Sequence, residues 1–297
     1  MMNEPLARPV PCPGLSIGQC ATLACLLEVA APKPGNVHRG ADFEDMSLYD
    51  FQWSAVAIAP ALERAEREGV GAAVLDAVRA TRCAVGTNTN LGTVLLLAPL
   101  AAVPRADSLR AGIGRVLDDL TADDSRLVYE AIRVAQPGGM GEVTEMDIRA
   151  AAPPALLAAM QAASARDLVA RQYVTRFDTV LEEVVPALRT GYGRGWPIAE
   201  TIVVAQLQLL SLHGDSLIAR KCGAATSSEA SARAAQVLEC GGPGDENFDM
   251  ALAEFDFWLR SDHHRRNPGT TADLIAAGLF ALLREGELQG IRSDMSR

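Results

Sequence analysis

The chain has 297 residues, of which 49% are hydrophobic and 22% charged, and its formal net charge is −10 at pH 7. A chain of this length and composition can bury one large core, which excludes a disordered or collagen-like protein. The negative charge argues against binding to nucleic acids or anionic membranes, because their phosphates would be repelled. A small phosphorylated ligand is still compatible with it, since such a ligand needs only a local cationic pocket or bound magnesium.

The first 15 residues are rich in proline and are predicted to form a flexible N-terminal arm. They lack the apolar run of a signal peptide, and the longest apolar run, Leu91 to Val103, is too short to span a bilayer. The six cysteines show no zinc-ligand spacing, which is typical of free thiols in a reducing compartment. We therefore expect a cytoplasmic protein with a single helical catalytic domain over 16–297, which can form a homo-oligomer.

Apolar residues recur at helical spacing along most of the chain. Ser16 and Gln19 form a capping-box pattern, which predicts a first helix that ends near Ala30. A second apolar stripe predicts one amphipathic helix over 48–65, continuing through Pro60. The other predicted helices are 70–84, 91–102, 108–120, 122–135, 154–173, 176–190, 197–213, 215–222, 228–239, 246–264 and 271–285. Because no segment alternates as a strand does, the sequence predicts an all-α fold with a single compact multi-helix domain.

The first of four polar segments begins at Glu28 and continues through Pro32-Lys33-Pro34-Gly35. Glu28 lies close to the apolar stripe of its helix, so its carboxylate must be paired, protonated or bound to metal. A structural salt bridge to an arginine is the alternative to a catalytic role. Gly35 permits a close approach of the backbone to a ligand. Lys33, His38 and Arg39 would offer positive charge to phosphate, and a solvated basic loop is the alternative.

Three acidic residues follow this loop, at Asp42, Glu44 and Asp45. Their carboxylates are the hard oxygen ligands that magnesium prefers. Acidic residues just before a helix are also common as N-caps, so both interpretations stay open here.

The second polar segment is Gly86-Thr87-Asn88-Thr89-Asn90-Leu91-Gly92, directly before an apolar predicted helix. Free backbone amides at a helix start, flanked by glycine and small polar side chains, form a natural anion site. An N-cap alone would need fewer polar residues, which favours a ligand loop that includes Asn88, Thr89, Asn90 and Gly92.

The third and fourth segments also join polar residues to a helix start. His213 and Asp215 follow a very apolar helix, which predicts that the pair faces a cleft, although Asp215 could simply cap the next helix, which ends near Arg220. The fourth segment begins with four basic or histidine residues, His263 to Arg266, and continues to Gly269, Thr270 and Asp273. A capped helix explains the threonine and the aspartate but not the preceding basic run.

Taken in order, these motifs resemble those of the CitG-like triphosphoribosyl-dephospho-CoA synthase family. The resemblance covers about residues 16 to 285. It rests on Glu28, Pro32-Lys33-Pro34-Gly35, Asp45-Met46, Asn88 to Gly92, Gly214-Asp215 with Arg220 and Gly223, and Pro268 to Leu274.

This resemblance implies an all-α enzyme that moves a triphosphoribosyl group from ATP to dephospho-CoA or a related acceptor, with release of adenine. It implies catalytic roles for Glu28 and Asp45, and magnesium ligands at Asp42, Asp45, Asp215 and Asp273. ATP would be a substrate and magnesium the cofactor. The implied substrate and phosphate contacts are Lys33, Gly35, His38, Arg39, Asn88, Thr89, Asn90, Gly92, His213, Arg220, Gly269 and Thr270.

Two departures from the family pattern indicate a divergent branch. Asn90-Leu91 stands where the pattern has His-Lys, and the acidic segment that ends at Asp45 is one residue longer than usual. Losing an ammonium group predicts weaker use of dephospho-CoA. The alternatives are a related transferase in one-carbon cofactor biosynthesis, a magnesium-dependent nucleotide or ADP-ribosyl hydrolase, and a non-catalytic helical binding protein.

Overall fold

The computed structural model describes residues 14–136 and 152–288. Within these two ranges the regular structure is helical, and the only β feature is an isolated bridge between His38 and Ala41. The predicted all-α fold is therefore confirmed. The predicted arm lies outside the described residues except for its last two positions, so its flexibility stays a prediction.

The described ranges contain sixteen α-helices and one π-helix. They are α1 (Ile17–Ala30), α2 (Leu48–Ala57), α3 (Ala59–Glu63), α4 (Ala65–Glu68), α5 (Val70–Val85), α6 (Leu91–Ala102), α7 (Leu109–Asp118), α8 (Ala122–Ala135), α9 (Leu156–Ala163), α10 (Leu168–Val174), the π-helix (Thr179–Val184), α11 (Val185–Gly193), α12 (Ile198–His213), α13 (Ser216–Cys222), α14 (Ala224–Glu239), α15 (Glu246–Arg260) and α16 (Gly269–Arg284).

The single helix predicted over 48–65 is wrong. It divides into α2, α3 and the start of α4, because Pro60 lacks an N–H and occupies the first turn of α3 rather than a helix interior. The helix predicted over 154–173 is likewise divided into α9 and α10, with Asp167 capping α10 through Val169 N and Ala170 N. Both breaks shorten helices that periodicity alone joined together.

Two hydrophobic clusters organise the helices. The larger one surrounds α16, whose residues Leu274, Leu279 and Phe280 are fully buried against α1, α6, α11 and other helices. The smaller cluster joins α12 to α13, α14 and α15.

In the described ranges no single helix is long and apolar enough to cross a membrane, although α12 and α13, bent by 59°, pass that test of length and composition as a pair.

Candidate active site

A cavity of about 940 Å³ opens beside the larger hydrophobic cluster, whose Leu91, Leu95 and Met160 line it. It collects residues from α1, α2, α5, α6, α8, α9, α10, α13 and α16 and from the loops between them. Ten of the predicted site residues line it, namely Glu28, Asp45, Asn88, Thr89, Asn90, Gly92, Arg220, Gly269, Thr270 and Asp273. Motifs that are distant in sequence therefore meet at one place.

Glu28 is held at the edge of the cavity by a buried lysine. Its Oε1 lies 2.8 Å from Nζ of Lys33, which is fully buried and also donates to the backbone oxygen of Glu28. The partner is thus a lysine of the same loop, not the arginine considered from the sequence. Glu28 keeps 14% of its side chain exposed, so its carboxylate is oriented from beneath yet open to the cavity.

The rest of the loop after α1 is fastened to the smaller cluster. Gly35 N donates to Asp256 Oδ1 at 2.7 Å, and Arg260 donates to Asn36 O at 2.6 Å. The Asn36 side chain donates to Asn267 Oδ1 and accepts from Gln206 Nε2, both at 2.6 Å. Gly35 itself is buried and does not line the cavity, whereas Asn36 does.

The polar side chains at the start of α6 are not all satisfied by hydrogen bonds within the described structure. Asn88 Oδ1 accepts from Leu91 N at 3.1 Å and Thr89 donates to Ser54 Oγ at 2.6 Å. Asn90, the residue before the first turn, accepts from Thr81 Oγ1 at 3.1 Å. Asn90 is only 8% exposed, and its Nδ2 atom has no hydrogen-bond partner in the described structure. A buried donor without a partner is uncommon in folded proteins.

Asp273 lies against the first turn of α6. Thr93 donates to its Oδ1 at 2.6 Å, and a Cβ at Gly92 would lie 2.0 Å from Oδ2. Only glycine at position 92 therefore leaves room for this carboxyl group. Burial, followed by the negative charge of Glu28, raises the pKa of Asp273 to about 8, against the Thr93 hydrogen bond, which lowers it.

A cationic cluster, formed by Arg166, Arg220, Lys221 and His264, lines another part of the cavity. Arg220 lies 3.4 Å from Asp167 Oδ2. Burial and the charge of Arg220 lower the pKa of Lys221. The Lys221 ammonium has no ion pair within the two described ranges. This concentration of positive charge suits a polyphosphate.

The acidic loop before α2 closes against the basic run near His264. Phe43 stacks on His264 with ring centroids 4.6 Å apart, and Asp45 Oδ1 lies 3.5 Å from His264 Nε2. Asp45 lines the cavity and leaves 64% of its side chain exposed. Asp42 instead accepts from Leu48 N at 2.7 Å, the capping role that was its alternative.

Other predicted residues lie outside the cavity lining. Arg39 is exposed, and His38 forms the bridge with Ala41; burial, then the charge of Arg260, lowers the pKa of His38. His213 Nε2 lies 2.6 Å from Glu183 Oε2 rather than facing the cavity.

Asp215 is fully engaged inside the protein. Its Oδ1 accepts from the amides of Leu217 and Ile218, and its Oδ2 accepts from the amide and hydroxyl of Thr271. Burial raises the pKa of Asp215, whereas these hydrogen bonds lower it. The geometry thus gives Asp215 a fastening role between α13 and α16.

Several cavity residues had no role assigned from the sequence. Arg82 lies in the last turn of α5 and Arg166 in the turn between α9 and α10, and neither belongs to a motif. Lys221 was interpreted as part of the charged end of a short helix. His264 was visible only as part of a basic run. A signal for Arg82 did exist, because it is a cation in the last turn before the Gly86 turn.

Comparison with known proteins agrees with this geometry. The family model for ATP:dephospho-CoA triphosphoribosyl transferase, CitG, matches residues 15–291. A crystal structure of a provisionally named triphosphoribosyl-dephospho-CoA synthase from Archaeoglobus fulgidus is 26% identical, with a TM-score of 0.61. The match covers 78% of this chain and 98% of that one. No curated protein matches the chain.

These matches confirm the resemblance seen in the motifs and the predicted class of pentosyl transferase that uses ATP. They do not favour the hydrolase alternative. The chain belongs to the CitG family of ATP:dephospho-CoA triphosphoribosyl transferases.

Proposed function

We propose that this cavity binds ATP and dephospho-CoA, or a close relative of that acceptor, and joins them as the family reaction requires. The observation that carries the proposal is the placement of Glu28 and Asp273 on the same cavity as a cationic cluster of four side chains. At about 940 Å³ the cavity is near the upper end of the ~300–1,000 Å³ found for ligand sites, which suits two substrates.

The reaction breaks the bond between N9 of adenine and C1′ of the ATP ribose. The bonding electrons leave with adenine, which takes up a proton, and an acceptor hydroxyl oxygen forms the new bond to C1′. The hydroxyl proton passes to a base, for which Glu28 is the candidate because it is exposed to the cavity and oriented by Lys33. Its negative charge also stabilises the cation-like ribose of the transition state.

The ATP triphosphate would lie against Arg166, Arg220, Lys221 and His264. Magnesium would be held by Asp45 and Asp273, the two predicted ligands that line the cavity, and would neutralise phosphate charge. No group of three or more His, Cys, Asp or Glu side chains in the described ranges is arranged to hold a metal. Two carboxylates suit magnesium, because it keeps waters and substrate phosphates as its remaining ligands. Burial is the main reason that the pKa of Asp273 is raised, and the negative charge of Glu28, which adds to the shift, also favours a cation there.

The test is incubation of the full chain with ATP, magnesium and dephospho-CoA, followed by mass spectrometry of the products and quantitation of adenine. Glu28→Gln is expected to slow adenine release at least ~100-fold, the lower limit for loss of a general base. Glu183→Gln is the matched control, because Glu183 pairs with His213 outside the cavity and should leave the rate unchanged.

Full activity of Glu28→Gln would remove the catalytic role of Glu28. Adenine release that does not depend on acceptor, with ribose triphosphate as the product, would instead favour the hydrolase. Circular dichroism and the melting temperature of each variant establish that the fold is retained.

A further inference from the structure

The start of α6 contains a buried hydrogen-bond donor that is not satisfied by any described residue. Asn90 lines the cavity, is 8% exposed and has an Nδ2 donor with no partner in the described structure. It stands at the N-terminus of a 12-residue helix, where backbone amides and the helix dipole favour an anion. A buried donor beside a favourable dipole calls for an acceptor oxygen from a ligand.

Arg82 supplies a full positive charge at the same place. It lines both the cavity and a small adjoining recess, which it shares with Thr87, Asn88 and Asn90. Within residues 14–136 and 152–288 its guanidinium has no hydrogen bond or ion pair. The group is therefore available to a phosphate, for which its planar fork of donors is well suited.

The charge at this second cationic region differs from that of the cationic cluster. The cluster has three formal cations and one histidine, which matches the triphosphate of ATP. The start of α6 has one formal cation, one amide and a helix terminus, which matches the two charges of a diphosphate diester. Two phosphate chains would repel each other in a single site, so separate regions serve two phosphorylated substrates better.

The cavity wall beside Arg82 and the position of Asp273 both agree with two separate phosphate-binding regions. Beside Arg82, α8 and α9 line the cavity with an aromatic and apolar surface that includes Tyr129, Ile132 and Met160. Such a wall suits the pantetheine chain attached to the diphosphate. In the first turn of α6, Thr93 is bonded to Asp273, so a ligand held at Asn90 has its ribose near the acidic groups.

We propose that Arg82, Asn90 and the N-terminus of α6 bind the diphosphate of the acceptor nucleotide, which sets them apart from the ATP-binding cluster. This assignment rests on the proposed function. Arg82 and Asn90 act in binding, so their removal weakens acceptor use without slowing the saturated reaction.

The experiment compares Arg82→Gln and Asn90→Ala with the natural chain, measuring initial adenine release against ATP and against dephospho-CoA separately. For each variant the KM for dephospho-CoA is expected to rise about 10- to 100-fold, the range for a lost charge-assisted hydrogen bond, with kcat and the KM for ATP unchanged. Adenosine, which has the ribose hydroxyls without the diphosphate, should react equally slowly with all three proteins. Arg79→Gln is the control, because Arg79 lies one turn away on α5 and pairs with Glu130.

Calorimetric titration with dephospho-CoA gives a second readout that needs no turnover. Weaker binding in Arg82→Gln supports the site even if no triphosphoribosyl product forms, in which case the proposed function alone fails. A natural chain that forms the product, with variants unchanged in acceptor KM or changed only in ATP KM, overturns the site and leaves the function standing. Equal loss for dephospho-CoA and adenosine also overturns it.

Discussion

Two polar loops of this protein look alike in sequence but differ in how completely their polar side chains are satisfied by hydrogen bonds within the protein. The loop after α1, residues 31–36, and the loop before α6, residues 86–90, both combine glycine with polar side chains next to a helix. In the first loop, hydrogen bonds and an ion pair within the protein occupy Lys33 and both ends of the Asn36 side chain. In the second, the Nδ2 donor of Asn90 has no hydrogen-bond partner among the residues that the structure describes. A polar loop is therefore a candidate ligand site to the extent that its own protein leaves groups unsatisfied.

The largest expected effect is the loss of the buried ion pair in the first loop, compared with the loss of an unpaired cation on the cavity wall. Lys33→Met leaves Glu28 without its partner, which should lower the free energy of unfolding by ~3–4 kcal/mol. Lys221→Met is the matched control, because Lys221 lines the cavity without an ion pair in the described ranges and should change stability by less than ~0.5 kcal/mol. Urea unfolding of both variants measures the two values. Similar losses in both would contradict the comparison.

A smaller difference is expected at two glycines with left-handed backbone. Gly35 has φ +74°, and a Cβ there would lie 2.9 Å from Leu259 and from Pro268. Gly86 has φ +72° with nothing within 4 Å of the same position. Gly35→Ala should therefore cost ~2–3 kcal/mol from backbone strain and crowding together. Gly86→Ala should cost only ~1 kcal/mol, from strain alone. Thermal unfolding separates the two, and equal costs would show that crowding is relieved elsewhere.

The smallest effect concerns two buried asparagines. Asn36→Ala removes two hydrogen bonds and leaves Asn267 and Gln206 without that partner, which should cost ~2 kcal/mol. Asn90→Ala removes one hydrogen bond together with an unsatisfied donor, so its cost should stay below ~1 kcal/mol. Chemical denaturation of both variants decides the point. A larger loss for Asn90→Ala would mean that its amide supports the fold.

The fold was predictable because helical periodicity and caps are local. Ser16 and Gln19 form the expected capping box, and α6 and α12 begin and end within a residue of their predicted bounds. The error at Pro60 arose because the apolar stripe continues on both sides of the proline. The helical backbone does not continue with it, because proline cannot donate the hydrogen bond of a helix interior. Periodicity records which face is buried, and it does not record where a helix is interrupted.

The site was predictable only in part, because residue type does not reveal which hydrogen bonds a group already has. Asp215 and Asp273 both follow glycine turns at helix starts. Asp215 accepts four hydrogen bonds from within the protein, whereas Asp273 lines the cavity. The only sequence signal for Arg82 was its place in the last turn before Gly86, since its role depends on the packing of α5 against α6 and α8. Such relations are tertiary and appear only when the chain is folded.

One helix links the two hydrophobic clusters. On α12, Ile202, Ala205 and Leu209 pack in the larger cluster, whereas Val203, Leu207 and Leu210 pack in the smaller one. Loss of either cluster would thus expose apolar surface that belongs to the other, which couples their unfolding. A ligand in the cavity would contact the larger cluster, and because the two clusters unfold together, its free energy of binding would also oppose the opening of the smaller one.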